Sequence, residues 1–222
     1  MSLKKRLVHA TTGGRISLDS RRVTQVTALD DVSLSLGDGD AVGITGHNGA
    51  GKTTLLRTIA GIYPPSQGVV TTTGRIGTLI ELGAGVDGDL TGYENIVRLG
   101  MLLGMGRRQI IDLIPAIEEF TELGDFLQVP VRTYSSGMLV RLLFAVNTAQ
   151  QPDILLVDEM FGAGDAAFQD KARARMTQLI AAARIFVLVS HSETLVRSVC
   201  RRLFNMTHGT LIEVNAATAQ VS

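Results

Sequence analysis

The chain has 222 residues, 45% of them hydrophobic, and its 21 lysines and arginines balance its 21 aspartates and glutamates. This length predicts a single domain, residues 1–222, with at most a smaller lobe and no large second functional domain. A formal charge of zero without a long basic block argues against a nucleic-acid partner.

Cysteine usage and hydropathy bear on the cellular compartment. Cys200 is the only cysteine, which excludes an internal disulfide and a multi-thiolate metal site. We expect it to be a buried, inert thiol in a reducing cytoplasm. Residues 1–10 contain Lys4, Lys5 and Arg6 but no apolar signal-peptide core, and no run of 18 apolar residues occurs. We therefore expect that the chain does not itself span a membrane.

Short β-branched runs alternate with longer amphipathic stretches, and this pattern predicts an α/β fold. Residues 23–42 favour strands, because Val32, Leu34 and Leu36 recur at period two before a glycine turn at residues 37–39. We expect this part of the chain to form a small N-terminal antiparallel β lobe.

Helical patterns prevail between about residues 83 and 150, which we interpret as an inserted helical lobe. Thr91 and Glu94 fit a capping box at the start of its first helix. The face behind this box is predicted to contain Ile96, Val97, Met101 and Leu102.

The last third of the chain returns to alternating strands and helices. After Pro152 the pattern predicts a strand at 154–157, a helix at about 166–183, a strand at 185–190, a helix near 193–201 and a hairpin turning at Gly209. This alternation predicts a mostly parallel core sheet.

The strongest local signal is a phosphate-loop pattern between a buried-type strand at residues 41–45 and a helix from near Lys52 toward Gly61. This pattern predicts that backbone N–H groups converge on phosphate oxygens, that Lys52 neutralises β/γ-phosphate charge and that Thr53 holds Mg²⁺. A merely flexible glycine turn is the alternative, and it does not account for eight matching positions. The predicted nucleotide-binding residues are Gly46, His47, Asn48, Gly49, Ala50, Gly51, Lys52, Thr53 and Thr54.

Two carboxylates end the apolar run that starts at Ile154. This pattern places Asp158 and Glu159 at the carboxyl edge of a sheet, where folds of this kind bind ligands. Asp158 suits the Mg²⁺ shell, directly or through water, and Glu159 is the candidate general base that orients and activates the attacking water. The competing interpretation is a solvated acidic loop.

The segment Tyr-Ser-Ser-Gly-Met at residues 134–138 would by itself indicate a serine N-cap. Its order relative to the phosphate loop and the two carboxylates makes nearly the whole chain resemble the ATPases of ABC transporters. The resemblance implies an ABC-type P-loop ATPase with ATP and Mg²⁺ as cofactors, which works as a homodimer with two composite ATP sites. It also implies that Ser135, Ser136 and Gly137 contact the γ-phosphate held by the opposite subunit.

The same resemblance implies roles for two further residues. His191, after the strand at 185–190, matches the family's switch histidine and joins Lys52 and Glu159 as a candidate catalytic residue. Asp165 matches the aspartate that touches the partner's phosphate loop, and its alternative role is an N-cap of the following helix.

Two positions depart from the family pattern. Glu81 stands where the family has the Q-loop glutamine that senses Mg²⁺ and the permease, so it is a candidate metal ligand beside Thr53 and Asp158. No aromatic residue precedes Tyr63, so the usual stacking platform for adenine is missing, and we expect weak base contacts near Val23 and Val26.

Residues 81–85, 90–95, 134–138 and 164–171 resemble the branch that exports O-antigen, capsular polysaccharide and teichoic acid. This resemblance implies a separate ABC-2-type permease, a lipid-linked glycan handled through it, and a peripheral position on the cytoplasmic face of the bacterial inner membrane. We expect the permease to contact the Q-loop region and residues 91–98. Because the chain ends at Ser222, we expect no C-terminal carbohydrate-binding domain.

Other functions stay open at this point. The ATPase of an ABC-2 drug or lipid exporter is the first alternative, because the permease reads the cargo. A soluble ABC ATPase acting on nucleic acid would need a coiled-coil insert, two cassettes or a basic face. A GTPase or kinase is disfavoured by residues 134–138, by His191 and by the absence of an Asn-Lys-x-Asp motif.

Overall fold

The computed structural model describes residues 16–18, 24–159 and 166–214. These residues divide into two compact units. The first contains residues 16–18, 24–72, 157–159 and 185–214, and the second contains residues 73–156 and 166–184.

The described elements are eight strands, six α-helices and two 3₁₀ helices. The strands are β1 (Ile16–Leu18), β2 (Thr24–Val26), β3 (Ala41–Thr45), β4 (Ile76–Leu79), β5 (Ile154–Asp158), β6 (Ile185–Val189), β7 (Arg202–Thr207) and β8 (Thr210–Val214). The α-helices are α1 (Lys52–Ile59), α2 (Gly92–Leu102), α3 (Arg107–Thr121), α4 (Ser136–Asn147), α5 (Ala166–Ala182) and α6 (Glu193–Val199). Two 3₁₀ helices lie at Gly124–Gln128 and Val131–Thr133.

The first unit is built on a sheet whose strands follow the order β6-β3-β7-β8. Strand β3 runs parallel to both β6 and β7, whereas β7 and β8 form an antiparallel hairpin. Val42 and Ile44 of β3 are fully buried, as expected for apolar residues in a strand with a parallel neighbour on each side. The mostly parallel sheet predicted from the sequence is confirmed, and the carboxyl ends of β3 and β6 reach the same edge.

The predicted N-terminal strands are only partly present. Strands β1 and β2 pair in antiparallel fashion, with Ile16 opposite Val26. Residues 32–36, however, form no strand. Their side chains still alternate between half-buried and exposed, but the carbonyl of Ser35 accepts a hydrogen bond from the Arg202 side chain (3.2 Å). The period-two pattern therefore reflects burial of one face of this segment, although the segment does not belong to a sheet.

In the second unit β4 lies beside β5, and the helices α2, α3 and α4 pack around a hydrophobic core. Its most deeply buried side chains include Ile96, Leu99, Ile110, Leu127 and Leu142. The predicted capping box is confirmed: Thr91 Oγ1 accepts from the Glu94 N–H (3.2 Å), and Glu94 Oε2 accepts from the Thr91 N–H (2.8 Å). The sequence thus located the start of α2 correctly.

The predicted buried face of α2 is partly wrong. Ile96 is fully buried and Val97 is half-buried, but Met101 and Leu102 are 53% and 64% exposed. Five residues of α-helix turn through about 500°, so Met101 lies roughly 140° around the helix from Ile96. Leu99, one turn after Ile96, occupies the core position instead.

Aromatic rings connect α5 to the core of the second unit. Phe168 of α5 packs edge-on against Phe120 and Phe144, with ring centroids 5.6 and 6.0 Å apart. The guanidinium of Arg175 lies 4.2 Å from the centroid of Phe120. These contacts fix the helix that follows Asp165 along the chain.

Cys200 offers a test of the first unit's packing. Its thiol is buried, and burial raises its pKa to about 12. We expect native protein at pH 8 to react with a thiol reagent roughly a thousandfold more slowly than an exposed cysteine does, because the thiolate is the reactive form. Stopped-flow labelling in buffer and in denaturant measures this ratio, and equal rates would contradict the packing.

No helix in the described part of the chain combines the length and the apolarity that a membrane crossing requires.

Candidate active site

Residues 46–51, the loop that the sequence predicts to bind phosphate and that is here called the phosphate loop, connect the end of β3 to the start of α1. Gly51 is the N-cap residue of α1, so no side chain caps the first-turn N–H groups, and that turn has no acidic residue. A helix N-terminus of this composition favours an anion, because its N–H groups and the helix dipole attract negative charge.

Two glycines of this loop cannot carry a side chain. Gly46 has φ +149°, and a Cβ there would lie 2.2 Å from the carbonyl oxygen of Met206. Gly51 has φ +115°, and its Cβ would lie 2.4 Å from the carbonyl oxygen of Ala28. Neighbouring backbone therefore supports the loop closely from β7 and from the segment after β2.

Lys52 is buried and curls back onto the loop. Its Nζ donates to the carbonyls of Gly46 (2.7 Å) and His47 (3.0 Å). Burial lowers the pKa of Lys52, and the negative charges of Asp158 and Glu159 oppose that shift. The ammonium group is therefore held inside the loop, where it can neutralise a phosphate.

Thr53 and Asp158, the predicted metal ligands, place two side-chain oxygens next to each other. Thr53 Oγ1 lies 2.5 Å from Asp158 Oδ2, although the residues are 105 positions apart in the sequence. Among the described residues no group of three or more histidines, cysteines or acids forms a metal cage. A hydroxyl beside one carboxylate still fits Mg²⁺, which commonly binds one or two protein oxygens together with substrate phosphates and water.

Glu159 and His191 also lie together. Glu159 Oε1 is 4.0 Å from His191 Nε2, and both side chains are about half exposed. Glu159 has φ +62°, an uncommon conformation for a residue with a side chain, and its N–H donates to the Val189 carbonyl (2.8 Å). Backbone strain of this kind is common at functional sites, and it persists only where the surrounding structure holds the residue in place.

The turn that carries His191 is fixed by two serines. Ser190 is buried, and its Oγ accepts from the N–H of Ser192 (3.1 Å). Ser192 in turn caps α6 by accepting from the N–H of Leu195 (3.3 Å). The first unit therefore brings together the predicted phosphate loop, the predicted metal ligands Thr53 and Asp158, and the pair Glu159 and His191.

The remaining predicted site residues lie elsewhere. Ser135 is the N-cap residue of α4, and its Oγ accepts from the N–H of Met138 (3.2 Å); Ser136 and Gly137 open that helix. Glu81 is exposed in the turn after β4, where its carbonyl accepts from the N–H of Ala84 (3.0 Å). These residues belong to the second unit, and the roles predicted for them stay predictions. Asp165 and Val23 lie outside the described residues.

Sequence reasoning missed the residues that contact the phosphate loop but lie far from it along the chain. The ring of His208, in the β7–β8 turn, lies 4.9 Å from the ring of His47. The N–H of Gly209 donates to the Ala50 carbonyl (2.9 Å). The hairpin at Gly209 was predicted, but no local pattern indicates that it contacts residues some 160 positions earlier.

Comparison with known proteins agrees with this geometry. The family described as "ABC transporter" matches residues 29–162. The chain is 56% identical over 212 residues to the O-antigen export system ATP-binding protein RfbE of Yersinia enterocolitica, covering 96% of this chain and 89% of the relative. It is 42% identical to RfbB of Klebsiella pneumoniae, an O-antigen export system ATP-binding protein, covering 86% of this chain and 77% of that relative.

A third relative, the teichoic acids export ATP-binding protein TagH of Listeria monocytogenes, is 42% identical; the match covers 89% of this chain but only 59% of TagH. Among solved structures, the post-hydrolysis dimer of the ATP-binding cassette MJ0796 with ADP and Pi superimposes with a TM-score of 0.66 at 21% identity, covering 85% of this chain and 91% of that one. That likeness confirms the predicted fold class. The chain belongs to the ABC transporter family, in the branch that contains the ATP-binding proteins of O-antigen and teichoic acid export.

Proposed function

We propose that this chain is the ATP-binding and ATP-hydrolysing subunit that powers export of a lipid-linked polysaccharide, of the O-antigen, capsule or teichoic-acid type. The observation that carries the proposal is the convergence, in the first unit, of the phosphate loop with the Thr53–Asp158 and Glu159–His191 pairs. The names of relatives that are 42–56% identical support the choice of cargo.

Each group in the first unit has a distinct part in hydrolysis. The N–H groups of residues 46–54 and the Lys52 ammonium bind and orient the β- and γ-phosphates. Thr53 and Asp158 would hold Mg²⁺, which neutralises charge that develops on the phosphate oxygens. Glu159 orients the attacking water and accepts its proton. His191 lies 4.0 Å from that carboxylate and orients the γ-phosphate.

A homodimer completes the site in this proposal. Ser135, Ser136 and Gly137, at the start of α4, contact the γ-phosphate bound to the opposite subunit, and Asp165 touches the opposite phosphate loop. Glu81 joins the Mg²⁺ shell and senses the permease. Two solved structures of MJ0796, which has this fold, are dimeric, and this supports the arrangement. ATP then favours the closed dimer by binding it better than the open state.

The subunit works, in this proposal, as a peripheral protein on the cytoplasmic face of the inner membrane, bound to a separate ABC-2-type permease. Met101 and Leu102 of α2 expose apolar surface close to residues 91–98, where a cytoplasmic permease helix is expected to bind. The glycan itself contacts the permease.

The test is ATP hydrolysis by the chain together with the permease encoded beside it, reconstituted in lipid nanodiscs. We expect a lipid-linked glycan to raise the ATPase rate severalfold, and a Lys52→Met complex to show no stimulation. Stimulation by apolar drugs or simple lipids, and none by the glycan, would favour the drug or lipid exporter instead. An inactive complex with every substrate would contradict transport-coupled hydrolysis.

A further inference from the structure

The segment that leads into Ser135 is held by the loop in front of α2. The N–H of Val131 donates to the Leu90 carbonyl, and the N–H of Arg132 donates to the Gly88 carbonyl, both at 2.9 Å. Thr91 and Pro130 form an antiparallel bridge. The Arg132 guanidinium also pairs with the carboxylate of Asp89. The position of residues 130–132 therefore depends on residues 87–91.

Residues 87–91 are themselves organised by one buried amide. Asn95, on the second turn of α2, is fully buried. Its Oδ1 accepts from the N–H of Asp87 (2.9 Å). Its Nδ2 donates to the carbonyls of Asp87 (2.9 Å), Leu90 (3.2 Å) and Thr91 (3.0 Å). The amide offers a carbonyl acceptor and two N–H donors together, whereas an ionised Asp only accepts and Leu does neither, so neither residue can replace this set.

Tyr134, directly before Ser135, makes the second connection to α2. Its hydroxyl donates to the Phe126 carbonyl (2.6 Å). A Cβ on Gly92, the first residue of α2, would lie 2.4 Å from that hydroxyl oxygen. The start of α2 therefore packs directly against the residue that precedes Ser135.

The same helix also reaches the segment after β4. Arg98 Nε donates to the Gly85 carbonyl (2.8 Å). Gly85 has φ +90°, and a Cβ there would lie 2.3 Å from Leu102 Cδ1. Gly85 closes the turn that begins near Glu81, so α2 contacts both this turn and the segment that leads into Ser135.

We propose that Asn95 and Tyr134 are positioning residues. Through α2 they fix Ser135 and Ser136 relative to the turn that contains Glu81, so that a displacement of the turn displaces the serines and a displacement of the serines displaces the turn. This inference rests on the proposed function, because the contact of the serines with the opposite nucleotide is part of it. The inference predicts that a substitution of Asn95 or Tyr134 weakens ATP-driven dimerisation more than it weakens ATP binding by one subunit.

Tyr134→Phe is the sharpest test, because it removes one hydroxyl, and Tyr93→Phe is its matched control. The Tyr93 hydroxyl, also on α2, bonds to Glu118 of α3 and makes none of the hydrogen bonds of Asn95, Tyr134 or Arg98. In a Glu159→Gln background we expect Tyr134→Phe to keep the Kd for Mg-ATP of one subunit within about twofold. We expect it to weaken ATP-driven dimerisation about tenfold, the effect of one hydrogen bond. Tyr93→Phe should change neither quantity.

Calorimetry measures the Kd for Mg-ATP and analytical ultracentrifugation measures ATP-driven dimerisation, with thermal unfolding recorded for each variant. Asn95→Asp should show a larger loss of dimer, since its carboxylate faces three carbonyl oxygens; if that variant does not fold, Tyr134→Phe decides. Equal dimerisation of Tyr134→Phe and Tyr93→Phe overturns this inference alone. Failure of the Glu159→Gln parent to dimerise with ATP overturns the proposed function itself.

Discussion

Glu159→Gln is expected to bind Mg-ATP with nearly unchanged affinity, to hydrolyse it at least about a hundredfold more slowly, and to accumulate as a closed dimer. The amide keeps the size of the side chain and its place after β5, but it cannot accept a proton from water. Phosphate release, which would reopen the dimer, then becomes rare. Single-turnover hydrolysis together with gel filtration in ATP measures both effects.

Glu193→Gln is the matched control for this variant. Glu193 is an exposed glutamate in the first turn of α6, and it pairs with Arg197 one turn away, at a distance of 2.6 Å. An exposed pair of this kind contributes little to stability, so its loss should leave hydrolysis and dimerisation unchanged. Hydrolysis by Glu159→Gln at the rate of the unmodified chain would show that another group is the base.

The parts of the fold that the sequence predicted are those with strong local patterns. Strand β3, the glycine loop and α1 follow one another within 20 residues, and each has its own signal. The capping box of Thr91 and Glu94 likewise marks a helix start by side chains three residues apart. Local hydrogen bonds and periodicity determine such elements, so no knowledge of distant contacts is needed.

The errors arise where tertiary contacts decide. Residues 32–36 alternate as a strand does, yet an arginine side chain from β7 bonds to one of their carbonyls. Asn95 reads in the sequence as an ordinary polar residue of a helix, although it is fully buried and bonds to three carbonyls. A buried polar group is recognised only when its partners are placed around it.

The candidate site shows the same division. The phosphate loop, Asp158 and Glu159 could be found from motifs, since backbone amides, a lysine and a carboxylate after a strand have to occur at fixed spacing. The support of the loop by Met206 and Ala28 could not, because the atoms that come nearest to Gly46 and Gly51 are the main-chain carbonyl oxygens of those residues. Main-chain contacts leave no mark on the residue type that supplies them, and only the glycine facing them is constrained.

Lys52→Met is expected to remove most of the affinity for ATP while leaving the folded protein intact. A hydrogen bond from an ammonium to a phosphate contributes about 1.5–3 kcal/mol, so the Kd for Mg-ATP should rise by roughly 10- to 150-fold. The fold should lose little, because the unfavourable burial that lowers the pKa of Lys52 offsets the two hydrogen bonds of its ammonium to the loop.

Calorimetric titration with Mg-ATP and the thermal midpoint without nucleotide separate the two effects of Lys52→Met. Lys171→Met serves as the control, because that ammonium is partly exposed and pairs with Glu122 on the surface of the second unit. We expect the control to bind ATP like the unmodified chain and to gain the same thermal stabilisation from it, whereas Lys52→Met gains almost none. Equal stabilisation of both variants by ATP would mean that Lys52 does not contact the phosphates, and the phosphate-loop assignment would then fail with it.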